Sequence, residues 1–236
     1  MNRRMGMSEV KTMNLLRKLG GVFITVFVFS QICFSQTTID NSFLNKKVSV
    51  FIQNFSVESS LNYLSVKSNI PMGFVQSRGS EINQKKISLK IIKETVENIL
   101  NKIVEADNRY SWSFENGVIN VYPKKSQFRF EEIQLDNFEI NDIEIEEIHS
   151  IIFNHPRIKS EIAEHNLKPL LGVAYDGPLM ENPKVKLSFQ NKRIKDILNI
   201  LLMDKSVRFW SITYFGDKTE LIGIDLLGYN ASLPNR

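Results

Sequence analysis

Cysteine is almost missing from this chain of 236 residues, and the only one, Cys33, lies near the N-terminus. The rest of the chain can therefore form neither a disulfide framework nor a cysteine-based metal site, and it has no thiol nucleophile. An exported domain without disulfides has to rely on a hydrophobic core, for which 42% apolar residues suffice. A glycine-rich phosphate loop and a Gly-x-Ser-x-Gly elbow are also missing, so we expect no cofactor.

A net charge is missing too, once the N-terminal segment is set aside. The whole chain has 30 basic and 26 acidic residues, of which residues 1–35 hold five and one. Residues 36–236 therefore hold 25 of each and have a formal net charge near zero. This balance gives no basis for nucleic-acid binding, and no nucleic-acid partner is expected.

The first 35 residues have the pattern of a secretory signal peptide. A basic segment precedes an apolar run, Gly20 to Phe34, and small Ser35 stands before Gln36. We expect a periplasmic or secreted mature chain that begins near Gln36 and has no transmembrane segment. The start codon can correspond to Met1 or to Met13.

Two alternatives to cleavage at Ser35 remain. The apolar run could stay as a membrane anchor, although it is short for a bilayer and contains Thr25, Ser30 and Gln31. Cys33 could carry a lipid, although Ile32 stands where lipid-modified signals have a small residue.

One pattern recurs three times, namely an alternating apolar strand, a polar turn and an amphipathic helix. Ile87 lies 39 positions after Val48, and Val185 lies 98 positions after Ile87, with no gaps between the copies that begin there. Three copies in one register indicate a duplicated supersecondary unit. Each helix carries a Leu-Asn pair, and we predict equivalent core positions at Leu61, Leu100 and Leu198.

Residues 46–123 are predicted to form β-α-β followed by β-α-β-β. Ser56 and Thr95 suit the N-caps of the two helices. Asn116-Gly117 predicts a tight hairpin turn between Tyr110–Phe114 and Val118–Tyr122, because both turn residues need positive φ.

Residues 128–227 are predicted to repeat this order with an expanded first half. That half contains a strand at Phe128–Leu135, a helix capped by Asn141 or Asp142, a short helix at Ile158–His165 and a strand at Leu170–Tyr175. The second half has strand Val185–Phe189, helix Ile194–Met203, and a hairpin of Arg208–Phe215 and Glu220–Leu227. The predicted fold class is therefore α+β, with two tandem βαβ-βαββ units at 46–123 and 128–227 after a signal peptide at 1–35.

These residues carry a resemblance. The strand, Asn-centred turn and Leu-Asn helix, present twice before a hairpin that ends Gly117-Val-Ile-Asn-Val-Tyr122, resemble the secretin and TonB short N-terminal domain. The resemblance covers Lys46–Pro123 well, and 128–227 only from Val185 onward. It implies a periplasmic interaction module, placed before an outer-membrane barrel or pore or beside a regulator. The implied partner is another envelope protein, such as an outer-membrane secretin or a TonB-dependent system, although nothing after the second unit resembles a barrel, a pore or a membrane helix.

Candidate catalytic and metal-binding residues are few. His149, His155 and His165 are spaced by six and ten positions, which does not match the i, i+4 pair of a helical zinc site. The acidic groups Glu131-Glu132, Glu144 and Glu146-Glu147 could supply the two carboxylates of a glycosidase, but the second cluster is expected on the solvated face of a helix. No enzyme activity is predicted.

The aromatic residues of the two hairpins leave an alternative open. Most are expected in the core, but they could also form a platform for a glycan or peptide. They are Tyr110, Trp112, Phe114, Trp210, Tyr214 and Phe215. The alternative function is thus a periplasmic glycan-binding protein or hydrolase that uses the hairpin aromatics and the helix carboxylates.

Small sheets have unpaired edges, and an unpaired edge can accept a strand from a partner. We predict partner binding by strand addition at the last strand of each hairpin, Val118–Tyr122 or Glu220–Leu227. The predicted partner-binding residues are Val118, Ile119, Val121, Tyr122, Glu220 and Ile222.

Overall fold

The computed structural model describes residues 41–78, 85–126, 128–170, 184–203, 207–215 and 220–227. They belong to one compact unit, Ile39–Arg236, and combine helices with strands, which confirms the α+β class. The predicted signal peptide, most of the strand predicted at Leu170–Tyr175 and the turn at Gly216-Asp217 lie outside the described residues.

The first half of this unit follows the predicted order closely. It runs β1 (Lys47–Phe55), α1 (Val57–Ser68), β2 (Met72–Val75), β3 (Ile87–Thr95), α2 (Val96–Ala106), β4 (Tyr110–Glu115) and β5 (Val118–Pro123).

Local chemistry fixes the ends of these elements. The side chains of Ser56 and Thr95 accept hydrogen bonds from the backbone N–H three residues later, so both predicted N-caps are confirmed. Helix α1 stops where Asn69 takes a left-handed φ of 55°. Asn116 and Gly117 have φ of 52° and 82°, which confirms the predicted turn between β4 and β5.

The second half has a longer first part. It runs β6 (Gln134–Glu144), α3 (Ile148–Asn154), α4 (Pro156–Glu164), β7 (Lys168–Pro169), β8 (Lys184–Arg193), α5 (Ile194–Met203), β9 (Phe209–Phe215) and β10 (Leu221–Leu227). Short 3₁₀ helices lie at Phe130–Glu132 and Ile145–Glu147.

Two predictions at the start of this half are wrong. The segment predicted as a strand at Phe128–Leu135 contains the first of these 3₁₀ helices, and the strand begins only at Gln134. Neither Asn141 nor Asp142 caps a helix, since both lie inside β6, where Asp142 has φ of 56°. Acidic and amide residues interrupt the apolar alternation of β6, so the sequence pattern underestimates its length.

The backbone reveals a fourth copy of the repeat. Asn54, Lys93 and Asn191 all have φ between 51° and 57°, and each lies three residues before the first residue of a helix. Asp142 has the same φ and lies three residues before Ile145, where the second 3₁₀ helix begins. The pairings of β1 with β3 and of β6 with β8 both have irregular registers. In all four copies, therefore, a residue with left-handed φ near the end of the strand redirects the chain into the helix that follows.

The strands form three sheets. Two are antiparallel pairs, β1-β3 and β6-β8. The third has six strands in the order β4-β5-β2-β9-β10-β7, so the two halves predicted at 46–123 and 128–227 share one sheet. Strands β2 and β9 join them in parallel.

Two hydrophobic clusters lie on this shared sheet. The first includes Leu61 and Leu100, and the second includes Leu198; all three have no exposed surface, as predicted for equivalent core positions. Strand β2 contributes Phe74 to the first cluster and Val75 to the second. Because neighbouring residues of a strand point to opposite faces, the helices of the two halves cover opposite faces of the sheet.

Candidate functional site

The predicted partner-binding strands are interior strands. Strand β5 pairs with β4 on one side and β2 on the other, and Val118, Ile119 and Val121 are fully buried. Tyr122, also in β5, is half-buried. The premise that this strand is a sheet edge is therefore wrong, because the hairpin folds back so that its last strand inserts beside β2.

The same correction applies to the predicted residues at the start of the last strand of the second hairpin. Strand β10 pairs with β9 along its length, and the two-residue strand β7 pairs with its residues Leu221 and Ile222 on the other side. The carbonyl of Glu220 accepts from the N–H of Lys168 at 2.7 Å, and that of Ile222 accepts from Leu170 at 2.8 Å. Ile222 has no exposed surface.

Within the described residues, β4 is one of the two end strands of the six-stranded sheet, the other being the short β7, and it pairs only with β5. The N–H of Lys124 donates to the carbonyl of Arg109. The backbone N–H and C=O groups of the odd-numbered residues of β4 therefore point toward β5. The backbone N–H and C=O groups of Trp112 and Phe114 consequently point away from β5. We call Trp112, Phe114 and Val104 of α2, which pack half-buried against the same hydrophobic cluster, the β4 edge.

The β4 edge has an internal counterpart in β9. Trp112 and Trp210 lie 98 positions apart, the offset of the repeat. The indole Nε1–H of Trp112 donates to Asn101 Oδ1 at 2.9 Å, and that of Trp210 donates to Asn199 Oδ1 at 2.9 Å. Each acceptor is the asparagine of the repeated Leu-Asn pair, which explains why that asparagine recurs in these two helices.

The two equivalent sites differ in what covers them. Trp210 is 1% exposed and Ile212 has no exposed surface, whereas the equivalent Trp112 and Phe114 are half-buried. In the overlying helices Leu202 is 1% exposed, and its equivalent Val104 is half-buried. Strand β2 covers β9 and no described strand covers β4, so the same apolar positions are closed in one half and open in the other.

The closed site shows how a strand fits. Parallel pairing places Gly73 opposite Trp210 and Val75 opposite Ile212. The N–H of Met72 donates to the carbonyl of Arg208 at 3.3 Å, and that of Gln76 donates to Ile212 at 2.8 Å. A Cβ on Gly73 would lie 2.2 Å from Cε2 and Cζ2 of the Trp210 indole. Glycine is therefore the residue that lets the indole lie against the neighbouring backbone.

The three histidines lie in separate local environments. The His155 ring accepts from Arg157 N–H at the start of α4, and the other ring nitrogen lies 3.1 Å from the Asn137 carbonyl. His165 stacks on Phe128 with ring centroids 4.0 Å apart, and His149 lies in α3. The described residues contain no group of three or more histidine, cysteine or carboxylate side chains placed to hold a metal.

Of the predicted carboxylates, Glu131 and Glu132 lie in ion pairs. Glu132 contacts Lys195 at 3.2 Å and Arg193 at 3.1 Å, and these cations hold its pKa below the usual range although burial acts in the opposite direction. Burial raises the pKa of Glu131, which Arg129 contacts at 2.8 Å. Glu144 ends β6 and is not in a helix. Glu131 and Glu132 thus form an ion-pair network with Arg129, Arg193 and Lys195.

A second group of carboxylates was not foreseen from the sequence. Thr213 Oγ1 donates to Asp225 Oδ2 at 3.2 Å on the face of β9 and β10. Burial raises the pKa of Asp225, and burial together with the charge of Asp225 raises the pKa of Glu58 in α1. Glu58 and Asp225 are far apart in sequence, so only the shared sheet brings them together. Burial also raises the pKa of the Tyr214 phenol, which belongs to the second hydrophobic cluster.

Two depressions lie beside the first hairpin, and neither is lined by Trp112, Phe114 or Val104. One holds about 20 Å³, enough for one water molecule, and is lined by Glu58, Gln76, Asp107 and Arg109 among others. The other is an open depression of about 570 Å³ along β4 and β5, where Arg129 lies 5.4 Å from the Tyr122 ring centroid. Its described lining residues carry cations and hydroxyls but no carboxylate, which does not fit a two-carboxylate hydrolase.

Comparisons with known proteins supply no further assignment. No family model matches this chain, and no curated protein matches it. In the described part of the chain, the helices are all too short or too polar to span a membrane.

Proposed function

We propose that this chain is an exported, non-catalytic interaction module of the bacterial cell envelope, which binds another envelope protein by strand addition at the β4 edge. The N-terminal pattern supports export, and the resemblance to short N-terminal domains of secretins and TonB-dependent receptors supports an envelope partner. Strand addition was expected at β5 or β10, and their interior positions move the proposal to β4.

One observation carries this proposal: β9 is covered by β2, while its repeat equivalent β4 has no second neighbour among the described residues. The outward backbone groups of Trp112 and Phe114 can accept a ladder of hydrogen bonds. The half-buried apolar side chains beside them can provide the hydrophobic part of binding.

A backbone-directed variant tests the proposal. Phe114→Pro removes the outward N–H as well as the ring, whereas Phe114→Ala removes the ring and keeps the N–H. We expect that the Ala variant, used as bait in an extract of its own cell envelope, still captures the partner and that the Pro variant does not. Circular dichroism and thermal melting establish that both variants are folded. A folded Pro variant that retains the partner as well as the Ala variant would refute strand addition at β4.

A further inference from the structure

We infer that the β4 edge selects a parallel partner strand that has glycine opposite Trp112 and an apolar residue two positions later. This inference rests on the proposed function and adds the chemistry that the partner must have. The occupant is a segment of a separate partner protein that shares this spacing with β2, where the two residues are Gly73 and Val75.

The junction of β2 with β9 is the template for this inference. There the indole of Trp210 lies against Gly73, and any side chain at that position would begin 2.2 Å from the ring. The ring itself cannot turn away without breaking its hydrogen bond to Asn199. The junction therefore requires glycine at one register position and accepts larger apolar residues on both sides.

Trp112 is held in the same way as Trp210, so it should also require glycine in a neighbouring strand. Its indole is held by Asn101 at the same distance, 2.9 Å, and on the equivalent helix. Its side chain points to the face of the sheet that carries the first hydrophobic cluster, where it packs against that cluster. A strand paired in parallel with β4 would thus meet a fixed indole at one position, as β2 does at β9.

The neighbouring positions define what flanks the glycine. At the closed site Val75 of β2 lies opposite Ile212 and is 3% exposed. At the open site the equivalent of Ile212 is Phe114, and Phe114 and Val104 of α2 both pack half-buried against the first hydrophobic cluster. An apolar residue two positions after the glycine would cover both of these half-buried side chains, whereas a charged residue there would lose its hydration without a partner.

A peptide with the sequence of residues 70–77, which contains β2, is the probe. We expect it to bind the full chain in calorimetric titration and to slow the hydrogen exchange of the Trp112 and Phe114 amides. A matched peptide with Gly73→Ala should bind at least about tenfold more weakly, because overpacking a fixed aromatic contact is costly. In the chain variant Trp112→Ala the two peptides should bind with similar affinity.

The outcomes distinguish glycine selection from strand addition at β4 itself. Equal binding of both peptides to the unaltered chain, with protection at β4, would overturn glycine selection and leave strand addition in place. A glycine preference that persists in Trp112→Ala would also overturn it. If the chain alone protected both amides as its concentration rose, the occupant would be a second copy and the separate partner would be overturned. Should neither peptide protect β4, and should Phe114→Pro still capture the envelope partner, the proposed function fails as well.

Discussion

The halves of this molecule contain the same strand-helix-hairpin unit, yet one is closed by a neighbour and the other is open. Trp210 and Trp112 make the same hydrogen bond to the same helix position, but only Trp210 is covered, by β2. A local sequence pattern therefore defines the unit, while its place in the sheet decides whether that pattern becomes core or surface.

The largest difference in the free energy of unfolding is expected between variants of the two tryptophans. Trp210→Ala should lower the free energy of unfolding by about 3–5 kcal/mol, as for other buried aromatic residues. Trp112→Ala should cost clearly less, because half-buried Trp112 has fewer contacts to lose. Both variants lose one indole hydrogen bond, so denaturant unfolding compares coverage alone. Equal losses would mean that the two sites are not open and closed forms of one unit.

The repeated leucines should behave alike. Leu61→Ala, Leu100→Ala and Leu198→Ala should each cost about 2–5 kcal/mol in denaturant unfolding, since all three side chains are fully buried. Met203→Ala is a suitable control, because that side chain is 53% exposed and its loss should be near zero. A small loss at any one leucine would show that its copy is not equivalent to the others.

Glycine in β2 should be less tolerant than glycine in β10. Gly73→Ala places a methyl group 2.2 Å from the Trp210 ring and should cost about 1–3 kcal/mol of overpacking. Gly223→Ala is the matched control, because its nearest neighbour is the end of the partly exposed Phe215 ring at 3.2 Å. Melting temperatures of the two variants measure the difference. If the control were the less stable one, the close approach of Trp210 to β2 would be wrong.

The smallest effect is expected from the half-buried carboxylate of Asp225 in the second half. Because burial raises the pKa of Asp225, the native chain keeps this proton to a higher pH than the unfolded chain does. The free energy of unfolding therefore falls as pH rises from about 3.9, the ordinary aspartate value, to the raised native value. Asp225→Asn should reduce this fall and raise stability at neutral pH, while its amide oxygen still accepts from Thr213.

The matched control for this titration is Asp136→Asn, which changes an exposed aspartate. Its stability should follow the unaltered chain across the same pH range in urea unfolding. Since burial and the charge of Asp225 also raise the pKa of Glu58, the Asp225 variant should keep part of the slope. A variant whose slope is unchanged would mean that Asp225 is not buried from water.

Local elements could be predicted from sequence where one short signal determines them. Ser56, Thr95 and Asn116-Gly117 act through neighbours two or three residues away, so their positions in the chain suffice. The fourth repeat was missed because its turning residue, Asp142, looks like a helix cap in sequence. The equivalent Lys93 shows that side-chain identity does not mark this left-handed position.

The candidate site was harder to predict from the sequence, because it depends on the order of the strands in the sheet. Alternation identifies β4, β5 and β10 as strands but does not say which of them has a neighbour on both sides. A signal was nevertheless present, since Trp112 follows Asn101 by eleven residues and Trp210 follows Asn199 by the same spacing. The contrast between the two sites becomes visible only when β2 is seen to cover one of them.

The most direct test of the open and closed sites is hydrogen exchange in the free full chain. The backbone N–H groups of Trp210 and Ile212 face β2, so their exchange should be slow. Those of the equivalent Trp112 and Phe114 should exchange rapidly, and should slow only when a strand with the order of β2 is added. Slow exchange at Trp112 and Phe114 in the free chain at every concentration would contradict the account, because it would mean that β4 is already covered.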